Sequence, residues 1–485
     1  MKIYLFGIGG TGARVVRSMI MLLAAGVKLP KGTSIVPMIV DVDVQNGDTY
    51  RTIELMNQYR KIRNNAYSEP VDEGFFHTNI ETLGMQQDED VQKIKDSYQL
   101  DFGNIDDTFS NYLKFGDLSK ENRDLLESLY DNSSSSNVNT ELNLKLTKGF
   151  KGNPNIGSVI FNEFSNSVEY KHFERIFTER DRIFIVSSIF GGTGSAGFPQ
   201  LIKIFRQKSK NAHIKSAKVG GLVVMPYFTV AENKDSAIDS MNFVSKTKAA
   251  LSYYDKELDG KVEAMYYIGD NEAIASYENN EGGIKQKNYA HLVELISSMS
   301  ILHYANLDND DLRYGDTTYF EYGMKNHKDT VNLAHFFSKT QENYLKPLTY
   351  FKYFEKLFLT HVPNNLKQDY SKDLELAGIS SNKFYKTVKE FFVDCFNPWM
   401  NELSKNKPAF NPYKSNEDFN KLIADKIVET SWTNKGITDN AINRVLAKTN
   451  IEYNGKINKQ EEKFFRVFYD GSVKLFNEYI KDLPS

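Results

Sequence analysis

Cysteine is almost missing from the sequence, since its 485 residues include only Cys395. A single thiol excludes an internal disulfide and any cysteine-rich metal site. Long hydrophobic runs are missing as well. The longest, at residues 19–26, is far shorter than the roughly 18–20 residues that cross a bilayer. The sequence therefore predicts no membrane span.

The chain also lacks an excess of charge of one sign. Its 60 lysine and arginine residues face 63 aspartate and glutamate residues, for a net charge of −3. This balance gives no direct signal for nucleic acid as a partner. The strand-like residues 3–6 follow Met1 and Lys2 directly and leave no room for a signal peptide. We therefore expect a cytoplasmic protein.

The two halves of the chain show different periodicities. In the first 300 residues, apolar runs typical of buried strands alternate with helical patterns, at residues 3–6, 35–40, 182–187, 219–225 and 264–268. The polar residues 132–139 (NSSSSNVN) indicate an exposed loop. Helical periodicity dominates from about residue 331. The pattern predicts an α/β domain with a parallel sheet, followed by a mainly helical C-terminal region.

A glycine-rich motif, GIGGTG at residues 7–12, lies between the first strand and a helix that is expected to open near Ala13. Glycines there allow a phosphate to approach the backbone, and a helix N-terminus offers free N–H groups. The motif formally fits G-x-G-x-x-G. One alternative is therefore a Rossmann-type NAD(P)-dependent oxidoreductase, with Asp41 or Asp43 on the adenosine ribose.

A second motif, FGGTGSAG at residues 190–197, follows the strand at residues 183–187 and precedes a helix expected from about Pro199. It has no Gly-Lys-Ser/Thr ending, so it is not a P-loop. Two such loops indicate two helix N-termini that converge on one polyphosphate. We expect a bulky residue at Gly194 to obstruct the phosphates while the fold survives.

These residues resemble the tubulin/FtsZ superfamily. GGTGSAG at residues 191–197 is similar to its signature loop, and the first glycine loop occupies the expected place before it. Residues 41–45 (DVDVQ), 149–157 (GFKGNPNIG) and 270–273 (DNEA) resemble further family segments in the family's order. The resemblance covers about residues 1–315. It implies a tubulin-like, Rossmann-type nucleotide-binding domain in a divergent bacterial protein.

The resemblance implies GTP or GDP with Mg²⁺ as ligands, held at five places. The inner phosphates are expected to be bound by Gly9, Gly10, Thr11 and Gly12. The outer phosphates are expected to be bound by Gly191, Gly192, Thr193, Gly194 and Ser195. The loop with Gly152 and Asn153 meets the terminal phosphate. Asp43, beside Gln45, positions the magnesium through water. Asn271 and Asn288 contact guanine, with Gln286 as the alternative to Asn288.

The apolar stretch at residues 288–307 indicates a buried central helix, in which His291 and His303 are packed core residues. In the family, such a helix ends in a loop that enters the neighbouring subunit's site. The resemblance thus divides the chain into a nucleotide-binding domain (1–287), the central helix with a catalytic-type loop (288–316), and a helical C-terminal domain (317–485).

The catalytic-type loop departs from the family. Asn309 and Asp311 match the family pattern, but the acid position is Tyr314, whose phenol is a poor water activator. Asp308, Asp310 or Asp316 are alternatives in a shifted register. Arg14 replaces a family asparagine in the first helix. Hydrolysis of GTP is therefore expected to be slow or conditional.

The implied working mode is a nucleotide-dependent switch that forms a head-to-tail homo-oligomer or filament. The helical C-terminal region provides a possible contact for another protein. A third hypothesis, besides the GTPase and the oxidoreductase, is a non-hydrolysing tubulin-like scaffold.

Overall fold

The computed structural model describes residues 1–86, 94–100, 107–130, 141–150, 152–231, 243–270, 275–278, 283–321, 324, 328–428, 430 and 435–484. The stretch at residues 132–139 and the predicted guanine contact Asn271 lie outside the described residues.

The strands of the described residues form one large parallel sheet and two small pairs. They are β1 (Lys2–Ile8), β2 (Ser34–Val40), β3 (Asn79–Ile80), β4 (Arg182–Ser188), β5 (Lys218–Val224), β6 (Phe228–Val230), β7 (Ala264–Ile268), β8 (Ala275–Tyr277), β9 (Thr318–Glu321), β10 (Thr330–Val331) and β11 (Ala409–Phe410). The large sheet has the order β3-β2-β1-β4-β5-β7-β9, while β6 pairs with β8 and β10 with β11.

The five strands predicted from apolar runs are confirmed as β1, β2, β4, β5 and β7. They are continuous apolar runs because helices cover both faces of the sheet, so that almost every residue of β1, β2 and β4 is buried. Parallel pairing in register, with Ile3 opposite Ile35 on one side and Arg182 on the other, aligns the carboxyl ends of these strands at one edge.

Ten α-helices lie in the part of the described chain that contains this sheet. They are α1 (Gly9–Ala24), α2 (Gly47–Ala66), α3 (Phe109–Tyr112), α4 (Lys120–Tyr130), α5 (Pro154–Ile160), α6 (Val168–Ile176), α7 (Gly192–Lys203), α8 (Ala212–Lys215), α9 (Phe243–Leu258) and α10 (Leu292–Ala305). All residues of α10 except His303 are buried, which confirms the predicted central helix.

The C-terminal region is mainly helical, as predicted. Its described helices are α11 (Ser338–Thr340), α12 (Lys346–Lys356), α13 (Asp369–Asp373), α14 (Lys383–Glu390), α15 (Asn397–Lys405), α16 (Asp439–Tyr453) and α17 (Gln460–Leu475). A π-helical turn, Phe391–Phe396, joins α14 to α15. The α/β class with a parallel sheet followed by a helical region is thus confirmed.

Buried aromatic rings join the two parts of the molecule. Phe354 on α12 lies 5.2 Å from Phe468 on α17, measured between ring centroids. Phe75, from the sheet-containing part, stacks on Phe354 at 4.8 Å, and Phe76 meets Phe391 edge-on at 4.8 Å. The aromatic core of the helices therefore includes residues that precede β3.

None of the helices in the described residues is both long and apolar enough to cross a membrane.

Candidate functional site

A cleft opens at the edge of the sheet where β1, β2 and β4 end. Its lining brings together all three predicted phosphate segments and the approach to the central helix. The lining residues are Gly9, Gly10, Thr11, Arg14, Asp41, Asp43, Asn46, Gly149, Phe150, Gly152, Ser188, Phe190, Gly191, Gly192, Thr193, Gly194, Phe228, Val230, Phe243, Glu278, Gln286 and Asn288. Crevices at the carboxyl ends of parallel strands are where open α/β sheets bind ligands.

Two helices begin at this cleft without a side-chain cap. Helix α1 begins at Gly9 and α7 at Gly192, and in neither helix does a capping side chain accept a hydrogen bond from the first backbone N–H groups. The expected starts near Ala13 and Pro199 are therefore wrong by one to two turns, because the glycines themselves form the first turn. The first N–H groups of a helix have no partner within it, so both ends present donors and partial positive charge.

The glycine segments meet closely. A methyl group on Gly9, whose φ is +67°, would lie 3.5 Å from Cβ of Thr193. A methyl group on Gly192 would lie 2.9 Å from the backbone nitrogen of Gly152 and 3.1 Å from that of Asn153. The three segments thus pack closely against one another, and a side chain at Gly9 or Gly192 would meet the neighbouring segment.

The predicted phosphate residues have different surroundings. Gly12 does not line the cleft; a methyl group there would lie 2.6 Å from the backbone of Gly7, so this glycine allows α1 to pack on β1. The Ser195 hydroxyl, in the first turn of α7, donates to the carbonyl of Gly191, the residue that precedes this helix. Gly194 lines the cleft, but a methyl group there would lie 2.6 Å from the carbonyl oxygen of Ser188. A bulky residue at Gly194 would therefore disturb the β4–α7 turn, contrary to the expectation that the fold is spared.

Two buried carboxylates follow β2 at the cleft. Asp43 Oδ1 accepts a hydrogen bond from the N–H of Gln45 at 3.1 Å, and its Oδ2 accepts one from the N–H of Gly283 at 2.6 Å. Asp41 Oδ1 accepts one from the N–H of Asp43 at 3.2 Å. Burial raises the pKa of Asp41 to about 7, although the Asp43 amide opposes this shift. Gln45 itself is exposed and does not line the cleft.

Three amide side chains gather at the other end of the cleft. Asn46 caps α2 by accepting from the N–H of Asp48 at 2.9 Å, and its Nδ2 donates to Oε1 of Gln286 at 2.7 Å. Both candidates for the base contact, Gln286 and Asn288, line the cleft. Within the described residues, the side chain of Asn288 has no hydrogen bond. Sequence reasoning missed Asn46, although Asn-Gly-Asp before a helical pattern is a capping signal.

Arg14 is the centre of a buried ionic network beside these amides. Its Nε donates to Glu294 at 2.5 Å and its Nη1 to Asp48 at 2.6 Å, with all three side chains at most 3% exposed. Its Nη2 donates to the Tyr227 hydroxyl at 2.7 Å. Burial alone lowers the pKa of Arg14, but these neighbours raise it well above its usual value. The guanidinium therefore stays charged and is balanced by two carboxylates.

The network extends to the C-terminal helices through Asp48. Its Oδ1 accepts from Arg51 at 2.6 Å and from the backbone N–H of Asn288 at 3.1 Å. Arg51 in turn donates to Glu402 on α15 at 3.0 Å, and Arg17 donates to the same carboxylate at 2.7 Å. The partners of Arg14 lie 34 and 280 residues away in the chain, so no local pattern predicts this network.

The predicted catalytic residues lie at the opposite edge of the sheet. Asn309 and Asp311 form a short turn after α10, where Asn309 Oδ1 accepts from Nη2 of Arg182 at 3.0 Å. Because Arg182 begins β4, the length of this strand, roughly 20 Å, separates them from the cleft of the same chain. Tyr314 is 63% exposed, with its ring centre 5.4 Å from the guanidinium carbon of Arg206.

No protein-family model matches the chain, and no curated protein matches it. Among solved structures, a similar chain is CetZ from Methanosaeta thermophila strain DSM 6194, with 11% sequence identity and a TM-score of 0.27. The similarity covers 56% of this chain and 46% of the CetZ chain, less than half of that protein's length. A likeness of this extent carries no functional argument.

Proposed function

We propose that this chain is a tubulin/FtsZ-like GTP-binding protein whose bound nucleotide controls head-to-tail assembly of identical chains. The observation that carries the proposal is the convergence of two uncapped, glycine-rich helix N-termini with Gly149, Phe150 and Gly152 on one cleft. One glycine-rich helix N-terminus is suited to bind a diphosphate, and two are suited to bind the longer phosphate chain of a nucleoside triphosphate.

Backbone donors, not cationic side chains, supply the attraction for phosphate. Among the described residues that line the cleft, Arg14 is the only cation, and its charge is balanced by Asp48 and Glu294. The N–H groups at Gly10 and Thr193 therefore hold the phosphates, as the resemblance implies for their loops. At the other end, the amide of Asn288 offers both a donor and an acceptor to the polar edge of guanine.

The cleft also fits Mg²⁺ held largely by water and phosphate. Both carboxylate oxygens of Asp43 accept backbone hydrogen bonds, and Asp41 lies beside it. Each oxygen retains acceptor capacity for a water molecule, which suits an ion that keeps several waters and takes few carboxylates. Asp43 would hold these waters, and the ion would supply positive charge to the outer phosphates.

The test is titration calorimetry of the purified protein with GTP, GDP, ATP and NAD in the presence of Mg²⁺. A Gly10→Leu variant makes this test more specific, because a side chain at this position enters the cleft without a backbone clash. The atom nearest to a methyl group on Gly10 is Nη1 of Arg14, at 3.5 Å. We expect at least a tenfold loss of GTP affinity, about 1.4 kcal/mol. Gly116→Leu is the matched control, since nothing lies within 4 Å of a methyl group there.

The same titration, together with a phosphate-release assay, separates the alternatives. Tight binding of NAD without a response to GTP or GDP would favour the oxidoreductase and contradict the tubulin-like proposal. Binding of GTP without turnover at any protein concentration would favour the non-hydrolysing scaffold. Electron microscopy of the protein with GTP and with a slowly hydrolysed analogue tests whether filaments form.

The position of the catalytic-type turn supports the proposed assembly. Asn309 and Asp311 lie at the far edge of the sheet from their own cleft, so they complete a site only if they enter the cleft of the next chain. Such a head-to-tail contact repeats and gives a filament unless a rotation closes a ring. The position of the turn thus supports an active site shared by two chains.

A further inference from the structure

A second groove adjoins the nucleotide cleft on the side of the C-terminal helices. Four exposed lysines line it: Lys285, Lys287, Lys405 and Lys407. Two residues, Glu278 and Asn288, belong to both the groove and the cleft. Glu278 is the only carboxylate among the described residues of the groove lining, so this lysine groove carries an excess of positive charge.

Hydrogen bonds join the two segments that carry the lysines of the groove. Nδ2 of Asn406, a buried side chain between Lys405 and Lys407, donates to the Tyr277 hydroxyl at 2.7 Å and to the carbonyl of Ala290 at 3.0 Å. These hydrogen bonds join the segment that follows α15 to the segment that precedes α10. Two lysine pairs from distant parts of the chain thus line one groove before any partner binds.

The opposite edge of the sheet carries the complementary charge. In the turn after α10 and the residues before β9, four aspartates are exposed: Asp308, Asp310, Asp311 and Asp316. Arg313 is the one cation within residues 308–316. We call residues 308–316 the acidic turn. Helix α10 connects the two surfaces. In the sequence, it begins shortly after the groove residues Lys285 and Lys287, and it ends shortly before the acidic turn.

We propose that the lysine groove receives the acidic turn of a second copy of this chain. The inference rests on the proposed head-to-tail assembly and adds the contact that makes it electrostatically favourable. A turn that brings Asn309 and Asp311 to the phosphates also brings several carboxylates close to a polyanion. The lysines at the rim offset the repulsion between these carboxylates and the phosphates, and they favour the correct register between chains.

The test reverses charge on each surface at residues that do not line the cleft, and it leaves Asn309 and Asp311 unchanged. The groove variant is Lys405→Glu with Lys407→Glu, and the turn variant is Asp310→Lys with Asp316→Lys. Lys61→Glu with Lys383→Glu is the control, since both lysines are exposed and line neither the groove nor the cleft. Assembly with GTP and Mg²⁺ is followed by light scattering and sedimentation, and GTP affinity by calorimetry.

We expect each variant alone to need at least about tenfold more protein to assemble than the wild type or the control, because like charges then meet. GTP affinity should not change. An equimolar mixture of the two variants should assemble again, since every interface then pairs lysine with carboxylate. Added NaCl should weaken wild-type assembly, because exposed pairs are screened over about 8 Å at physiological ionic strength.

Separate outcomes would overturn separate claims. If the wild type assembles with GTP and both variants assemble equally well, the groove contact is wrong and the proposed assembly stands. The groove contact is also wrong if the variants fail singly and fail again when mixed. If the wild type binds GTP but remains monomeric, assembly itself is wrong. Loss of binding to a short DNA duplex in the groove variant of such a monomer would assign the groove to nucleic acid.

Discussion

The sheet region (residues 1–321) and the helical region (residues 328–484) are stabilised in different ways. In the sheet region, buried ion pairs join distant elements, as Arg14 does with Asp48 and Glu294. In the helical region, aromatic rings fill the interior, and the buried pair Lys352–Glu355 lies within one helix. Buried charge is costly unless it is paired, and the sheet region holds such pairs at both edges of its sheet, Arg14 with Asp48 and Glu294 beside the cleft and Arg206 with Glu263 at the opposite edge.

The two regions are nevertheless not independent. Phe75 and Phe76 of the sheet region insert their rings among those of the helices, and Glu402 of the helical region accepts from Arg17 and Arg51. The domain boundary after residue 316 stays a prediction, and these aromatic contacts and ion pairs cross it. Strand β9, which begins at Thr318, also adds to the large sheet.

The largest expected effect comes from the shared aromatic core. Phe354→Ala should lower the free energy of unfolding by about 5 kcal/mol, the upper end for a buried phenylalanine, because Phe354 packs against rings from both regions. Hydrogen exchange should speed up in β1 as well as in α17. Phe337→Ala, at a 53% exposed ring, is the control. A loss confined to α17 would show two separate cores.

The ionic network should give the next largest effect. Arg14→Gln leaves Asp48 and Glu294 buried without their cation, which we expect to cost about 4 kcal/mol in urea unfolding. Arg444→Gln in the helical region is the matched control. Its pair with Glu478 has the same 2.5 Å distance as Arg14–Glu294, but the two side chains are 63% and 47% exposed. We expect less than about 1 kcal/mol there. Equal losses would contradict the contrast between the regions.

Sequence patterns identified the main strands, the central helix and the cleft-forming segments, because each depends on local periodicity or on glycines at a turn. They did not distinguish glycines with different roles: Gly10 faces the cleft, whereas Gly12 packs on a strand. Only the three-dimensional neighbours decide this. The partners of Arg14 and the lysine groove were not predicted for the same reason, since their residues come together only after folding.

Acid should weaken the sheet region through His77. Burial lowers the pKa of His77 from 6.5 to about 4, while its Nδ1 hydrogen-bonds the carbonyl of Gly74 at 2.7 Å. As pH falls from 6.5 to 4, the unfolded chain binds a proton that the folded chain does not. Stability is therefore present above pH 6.5 and is lost toward pH 4, by about 3 kcal/mol.

Thermal unfolding measured across this range checks the effect. His77→Gln cannot take up the proton and should flatten the dependence on pH, whereas His213→Gln, at an exposed position, should leave it unchanged. An unaltered pH profile in His77→Gln would assign the acid sensitivity to other groups, such as His291, whose pKa burial also lowers.

The smallest effect on stability is expected at Tyr314, where activity should respond instead. Tyr314→Asp removes an exposed ring above Arg206, a contact worth about 0.5–1 kcal/mol. If residues 309–314 have the predicted register, the new carboxylate takes the acid position and should raise GTP turnover at least about tenfold, since a positioned general base contributes about 10²–10⁴-fold. Tyr314→Phe keeps the ring and should leave turnover low.

Phosphate release measured against protein concentration decides whether this effect arises between chains. Each competent site needs the cleft of one chain and the turn of another, so activity should rise more steeply than linearly with concentration. Asp311→Ala should abolish turnover without loss of GTP affinity, because Asp311 lies at the far edge from its own cleft. Linear dependence, together with full activity of Asp311→Ala, would contradict a shared site and leave a monomeric nucleotide switch.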